Sequence, residues 1–544
     1  MADRFAQDPI VALDFPRPDW NAAVLEFLIG LYATALPPRD TAQWVKPWVS
    51  PAEPEALAGK LQPMTFAFNL DGEGPRCFQD FDPLAGLEPK PVSALLIDAP
   101  GENAEKKNTD LFVKRTGETV MSLPMAAAAL ITLQTYAPAG GQGNRTSLRG
   151  GGPLTTLPLP RRKVAAAAIT TLWDLVWAAV PNSPDDIDLP ADTNDPEWAL
   201  IFPWLAPART SEKDRSTQPE DHANRLQQYF ATPRRIRLDF APADGAVCAF
   251  EGVTGEVVVR TFRQKNFGVK YDGWQHPLSP YRVDDEAGKI AFHPQPGGAT
   301  FRDWMTWVEI LEGKAQRATC LDSWNERVKW LRSRSDMLAK FRDDEPWQSG
   351  VLAFGYDMDN MKARGWLEAR IPFFDAPDGV DETEWASSFR FIARRLVAGT
   401  EEAAKALRTQ VKVALYGQRN REDKYRIPDT VPREAASELI EGLWRACETD
   451  FRKALDDLRS TPDDKAKAIR IAFKRALTRH AFARFDTITG IDTLADQDAK
   501  RLVTTRSMLQ AAFGERGSVA HALDLPEQKP GSKRVDKSKK GPSQ

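Results

Sequence analysis

From about residue 383 to Leu523 the sequence keeps one habit: apolar side chains recur every three or four positions through long runs broken by short polar joints. A helix with such a stripe cannot stand alone. It must bury the stripe against a neighbour, and several long amphipathic helices joined by short links are satisfied by a helical bundle. The first run carries Phe389, Ile392, Leu396, Ala403, Leu407 and Val411, and the second, after Pro432, carries Leu439, Leu443, Cys447, Phe451 and Leu455. The third opens on Thr461, an N-capping residue type. Pro462 follows at the first helical position, and Asp463 and Asp464 suit the positive helix end. The fourth is "ADQDAKRLVTTRSMLQAAFGER", extending to Leu523.

The chain before this run reads differently, and the fold class expected is α+β. A mixed N-terminal domain over 1–379 precedes a four-helix bundle over 380–523. A disordered tail over 524–544 follows, whose last twenty residues hold six basic and two acidic side chains and almost nothing to bury. Within the mixed domain, helices are expected over 20–36, in "VMSLPMAAAALITLQTYAP" and over 162–180. "RRIRLDF", "AVCAFEG", "EVVVRTF" and "FGVKYDGW" alternate as short strands of a small antiparallel region. Residues 301–342 read as helical, and "VLAFGYD" and "WLEARIPFF" as two strands flanking a loop.

With 544 residues the chain exceeds one ordinary core. Its net charge of −3 excludes a surface that coats nucleic acid everywhere, so any such contact must be local. Cys77, Cys248, Cys320 and Cys447 form no C-x-x-C pair, which argues against structural zinc. Widely spaced thiols, an N-terminus unlike a signal peptide and the lack of a long apolar stretch lead to the expectation of a cytoplasmic protein with no membrane contact. The sixteen tryptophans, many beside prolines, read as packing for loop-rich walls, with base stacking an alternative for one or two.

"GGQGNRTSLRGGG", residues 140–152, raises the functional question. A phosphate loop needs Gly-Lys followed by Ser or Thr, and the three Gly-Lys pairs of the chain lack it. The dinucleotide spacing G-x-G-x-x-G fails because Thr146 stands where the third glycine belongs. No H-E-x-x-H motif and no convincing Ser–His–Asp set occurs, and His276 reads as structural. The expectation is therefore no catalytic residue, no cofactor and no metal.

The order of elements resembles a known family. "NTDLFVKR" is followed by a helix, by "SLRGGGPLTTL", by "FRQKNFGVKYDGWQHPLSP", by "GYDMDNMKARGW" and by a C-terminal bundle. Together these resemble the CasA family, the large subunits of type I-E CRISPR Cascade complexes, over roughly 20–523. Members usually begin with a few dozen further residues rich in short strands, so either a preceding segment or its dispensability is expected. Some carry clustered cysteines in the β region. Only Cys248 stands there in this chain, so no metal is carried over.

The resemblance implies a non-catalytic subunit that finds the protospacer-adjacent motif in double-stranded DNA. It starts strand separation so that guide RNA can pair, and it helps admit a helicase–nuclease. Implied partners are target DNA, the guide RNA complex, the small subunits and the guide-end subunit. The expected DNA contacts are Gly141, Gly143, Asn144 and Arg145, with Arg149 as a further phosphate contact; Lys265, with Lys270 if the register slips; and Asp359 and Asn360, with Met358 or Met361 as apolar alternatives for the strand wedge. Asn108, Thr109, Asp110, Leu111 and Phe112 resemble the family's docking loop. Glycines suit a minor groove about 6 Å wide, because no Cβ projects and the amides are bare. From composition alone the glycines read as a flexible loop, Lys265 as a solvated turn and Asp359–Asn360 as a β-turn. An enzyme such as a hydrolase with a hidden site, and a scaffold that only assembles partners, are the rival readings.

Overall fold

The structure is a computed structural model. It describes residues 9–49, 53–101, 104, 106–110, 119–160, 162–164, 167–183, 189–252, 255–285, 288–295, 298, 300–307, 315–334, 350–359, 362–372, 374, 382–420, 424–432, 436, 438–460, 462–490 and 498–525. Two compact units form: one from 1–299 with 306–373, the other from 300–305 with 374–544.

The first unit is built around α1 (Pro18–Ala35) and α4 (Leu123–Tyr136), which pack on each other. Both begin on proline in the first turn, where a missing N–H is harmless. Between them lie α2 (Thr41–Val49), α3 (Pro54–Leu61), β1 (Lys90–Pro91) and β2 (Met121–Ser122). The core joins Trp20, Leu130, Phe202, Trp204, Phe230 and Phe262. Trp20, Trp44, Trp48, Trp177, Trp198, Trp204 and Trp324 are all under 2% exposed, which makes them core walls rather than stacking platforms.

After α4 come β3 (Thr155–Leu159), the hairpin β4 (Arg162–Val164) and β5 (Ala167–Ile169), α5 (Leu172–Ala179) and α6 (Trp198–Ile201). The helix expected over 162–180 is thus confined to its last part. Thr171 caps α5 and exchanges hydrogen bonds with Asp174 in a capping box, which fixes the helix start at Leu172 despite the alanines before it.

A four-stranded sheet follows, in which β7 (Val257–Lys265) pairs antiparallel with β6 (Arg235–Pro242), β1 and β2. Along β6, Ile236 and Leu238 enter the core while Arg235 and Arg237 turn to Asp80 and its carbonyl, the two-residue period of a strand. Two expected strands are absent. In "AVCAFEG", Ala246 and Gly252 donate to nearby carbonyls in turns. In "FGVKYDGW", Phe267 has φ of 60°, and only Tyr271 pairs, as an isolated parallel bridge to Thr217.

Then come β8 (Tyr281–Asp284), β9 (Gly288–Ala291), α7 (Phe301–Trp307), β10 (Ala315–Gln316) and α8 (Thr319–Arg332). Among the described residues, the expected helical region over 301–342 holds two helices separated by β10, a strand in the order β10-β8-β9. The expected hairpin forms as β11 (Gly350–Asp359) and β12 (Lys362–Pro372), and β3 adds to it in the order β12-β11-β3.

The second unit is mainly helical, with a short antiparallel pair, β13 (Gln418–Arg419) and β14 (Tyr425–Arg426). Its long members are α9 (Glu382–Tyr416), α10 (Glu438–Ser460), α11 (Pro462–Thr489) and α12 (Ala499–Phe513), followed by α13 (Ser518–Ala522). α9 touches each of the others. The fourth expected run is one helix and then a short one, divided at Gly514–Gly517. Its core holds Phe389, Leu396, Leu407, Leu443, Trp444, Phe451, Leu477 and Phe485. Phe301 from the early segment completes that core, stacked on Phe451 at 4.1 Å and edge-on to Trp444 at 4.6 Å. Thr461 and the tail beyond Leu525 lie outside the described residues.

Candidate nucleic-acid interface

The glycine stretch is a loop stitched at its base. Ser147 N–H donates to the Ala137 carbonyl at 3.0 Å and Gly152 N–H to the Tyr136 carbonyl at 3.2 Å, so the chain returns to the end of α4 that it left. The tip, around residues 140–146, is fixed from one side. Phe267 N–H donates to the Gly143 carbonyl at 2.9 Å, and the Gln264 side-chain amide donates to Asn144 Oδ1 at 2.9 Å. Arg145 Nε donates to Ser211 Oγ at 2.7 Å, and Ser211 N–H donates to the Phe267 carbonyl at 3.3 Å. Glycine loop and turn 264–268 thereby close a ring of hydrogen bonds. Lys265, at the end of β7, is exposed on that turn, and Gly141 is exposed at the loop tip. Both Gly141 (φ 74°) and Gly143 (φ 76°) occupy the left-handed region that favours glycine.

Arg149 behaves otherwise than expected. It is 7% exposed and faces the core, so it is not a phosphate contact on the surface. Its Nη2 meets Glu26 Oε2 at 2.6 Å, and its Nη1 donates to Thr155 Oγ1 and Ser279 Oγ, both at 2.9 Å. The Tyr136 and Thr155 hydroxyls each donate to Glu26 Oε1 at 2.6 Å. A buried cation needs a carboxylate and hydrogen bonds together, and this network supplies both. It also ties "SLRGGGPLTTL" to "WQHPLSP": Arg149 of the first donates to Ser279 of the second, and the Ser279 hydroxyl donates back to the Leu154 carbonyl at 2.6 Å. Burial, and beyond it Arg149, hold the His276 imidazole well below its ordinary value. Burial also lowers His293, which lies against Gly150.

The β11–β12 hairpin reaches the other end of the loop. A Cβ on Gly152 would lie 2.7 Å from Met358 Cε and 2.9 Å from Tyr356 Cβ, so the Met358 side chain already covers Gly152. The Tyr356 hydroxyl donates to Asp19 at 2.6 Å, and Arg364 donates to Asp357 at 2.7 Å. Asp359 is exposed and pairs with Lys362 across the ladder. Asn360 and Met361 lie outside the described residues. The Lys270 carbonyl accepts from Thr217 N–H at 2.7 Å.

Asn108 and Thr109 are exposed and Asp110 is half-buried. Thr109 N–H donates to the Ala104 carbonyl at 2.9 Å, and Asn108 has φ of 51°. Leu111 and Phe112 lie outside the described residues. Sequence reasoning missed Gln264, Phe267, Ser211 and Glu26. Each owes its role to a partner far along the chain, and no local signal marks it. Among the described residues no three His, Cys, Asp or Glu side chains are grouped to hold a metal ion, and no helix is long and apolar enough to cross a membrane.

The same arrangement of elements occurs in known proteins. The family model of the CRISPR-associated protein Cse1 matches residues 2–483. No curated protein matches. Among solved structures, CasA of Thermus thermophilus is similar at 16% identity and TM-score 0.63, covering 92% of each chain. Cse1 of Thermobifida fusca is similar at 15% identity and TM-score 0.62, covering 97% of this chain and 94% of that one. A chain of a CRISPR RNA-guided surveillance complex is similar at 16% identity and TM-score 0.58, covering 94% of each.

Proposed function

The chain belongs to the CRISPR-associated Cse1 family, and from that premise we propose that it is the large subunit of a type I-E Cascade surveillance complex. In that role it recognises the protospacer-adjacent motif in duplex DNA and starts strand opening for the guide RNA. One observation carries the reading: the glycine loop and the Lys265 turn are bound to each other through Gly143–Phe267 and Asn144–Gln264, and Lys265 and Gly141 are both exposed. A slender glycine tip and a lone lysine suit a minor groove. There the accessible groups are chiefly the adenine N3 and thymine O2 acceptors, and readout is mostly A·T against G·C. Tolerance of several motif sequences follows from that degeneracy.

On the hairpin, Asp357 and Asp359 offset Arg364 and Lys362, so it carries no surplus of cations for phosphate, which fits a part that acts after docking. Asn360 is the proposed wedge. Exchange of DNA duplex for guide–target heteroduplex is nearly balanced, so the first opened step controls the rate. Residues 108–112 are proposed to dock on the guide-end subunit, and the helices over 380–523 on the small subunits and the displaced strand. The DNA-bound complex then admits the helicase–nuclease, while this subunit performs no chemistry.

The test uses the assembled complex with motif-bearing and motif-free duplexes. Lys265→Ala should weaken motif-bearing duplex by about 1–3 kcal/mol and act less on single-stranded target. Asn360→Ala should leave initial binding intact and slow strand opening. Unchanged discrimination and unchanged opening, with assembly preserved, would return the chain to the scaffold reading.

A further inference from the structure

We propose that Gly143 is a positioning residue for Lys265: its missing side chain lets the turn at 264–268 seat on the glycine loop, so that this glycine acts on DNA through the lysine. The proposal rests on the motif-reading role given to Lys265 above. A Cβ on Gly143 would stand 2.7 Å from Phe267 N and 3.1 Å from Asn266 Cβ. The first distance is shorter than any real contact, and the atom it meets is backbone, which cannot swing aside. It also belongs to the N–H that donates to the Gly143 carbonyl at 2.9 Å. A methyl group here must therefore push away the turn that carries Lys265 and break the bond that holds it.

The loop contains its own control. Gly141 has φ of 74° and Gly143 of 76°, so alanine incurs the same backbone strain at either position. Yet a Cβ on Gly141 meets no atom within 4 Å. Any difference between the two alanine variants isolates the contact with the turn from the cost of the conformation. Phe267 depends on that contact, since a bulky residue at φ of 60° persists only where its surroundings hold it. The Gly143 carbonyl and Ser211 N–H hold it from both sides.

The experiment has two readouts on the full chain and its assembled complex. Backbone hydrogen exchange over 263–270 should accelerate at least about tenfold in Gly143→Ala and stay unchanged in Gly141→Ala. In duplex binding, Lys265→Ala should reduce motif discrimination about tenfold in the native background and under about twofold in the Gly143→Ala background. Should Gly143→Ala fold poorly, Gln264→Ala removes the second tether without backbone strain and should accelerate exchange over the same segment. Unaltered exchange in Gly143→Ala, or a full Lys265→Ala effect in its background, overturns the proposal. If Lys265→Ala alone changes nothing, it is the motif-reading role that fails, and the exchange data still decide whether Gly143 holds the turn.

Discussion

Glu26→Gln should be a strongly destabilising isosteric change in the first unit. Glutamine keeps the volume, so no cavity opens, but Arg149 then sits buried without a carboxylate. The Arg149 and Glu26 side chains are 3% and 5% exposed, which leaves water little access to solvate the orphaned charge. Removing one partner of such a pair costs about 3–5 kcal/mol, since the remaining charge keeps its desolvation penalty and loses its compensation. For the roughly 370 residues of the first unit, the unfolding entropy is about 0.8 kcal/mol/K, so a 4 kcal/mol loss lowers that unit's melting temperature by about 5 °C. Differential scanning calorimetry reads this directly. Arg149→Met should cost a similar amount by stranding Glu26. The double variant, with no charge left to bury, should cost well under the sum of the two. A loss below about 1 kcal/mol for Glu26→Gln, or strict additivity in the double variant, would refute the account of Arg149 as a paired core cation.

Two further outcomes follow from the packing. Burial depresses His276 and His293, so the unfolded chain, titrating near 6.5, takes up protons first. Stability should hold above about pH 6.5 and fall by up to ~1.4 kcal/mol per pH unit per histidine below it; calorimetry from pH 7.5 to 5 tests this, and His276→Gln should flatten the slope. In the second unit, Phe301→Ala should cost about 3–5 kcal/mol, because a ring stacked on Phe451 and edge-on to Trp444 leaves a cavity that neighbours cannot close; a change under about 1 kcal/mol in denaturant unfolding would contradict its place in that core.

Much of this was legible where periodicity is long. The helices around Trp20, Leu130, Phe389 and Phe451 follow from apolar spacing, and the hairpin around Phe354 and Leu367 from alternation. Short elements were misread where one residue outweighed the pattern. Thr171 restarted the chain as a helix after an alanine run that favoured one earlier. Phe267, at positive φ, turned an alternating segment into a loop whose hydrogen bonds go to Ser211 and Gly143 rather than to a strand. The glycine loop and Lys265 stood out separately as candidates, but their union did not, because the Gly143–Phe267 bond joins residues far apart in the chain. Arg149 was the clearest failure. An arginine among glycines reads as solvated, and its partner Glu26 looks like one more polar position on a helix. Only the fold brings the two together.

The segment Thr300–Met305, which completes the second unit, has a consequence for biosynthesis. Phe301 leaves the ribosome before any of the helices it packs against. At roughly 5–20 residues per second, the roughly 150 residues separating Phe301 from Phe451 take about 8–30 s to emerge. Through that interval Phe301 and Trp304 have no native shelter in their own core. A nascent chain stalled after β12 presents two large aromatic rings to chaperones, and a ribosome pause there would favour aggregation over assembly.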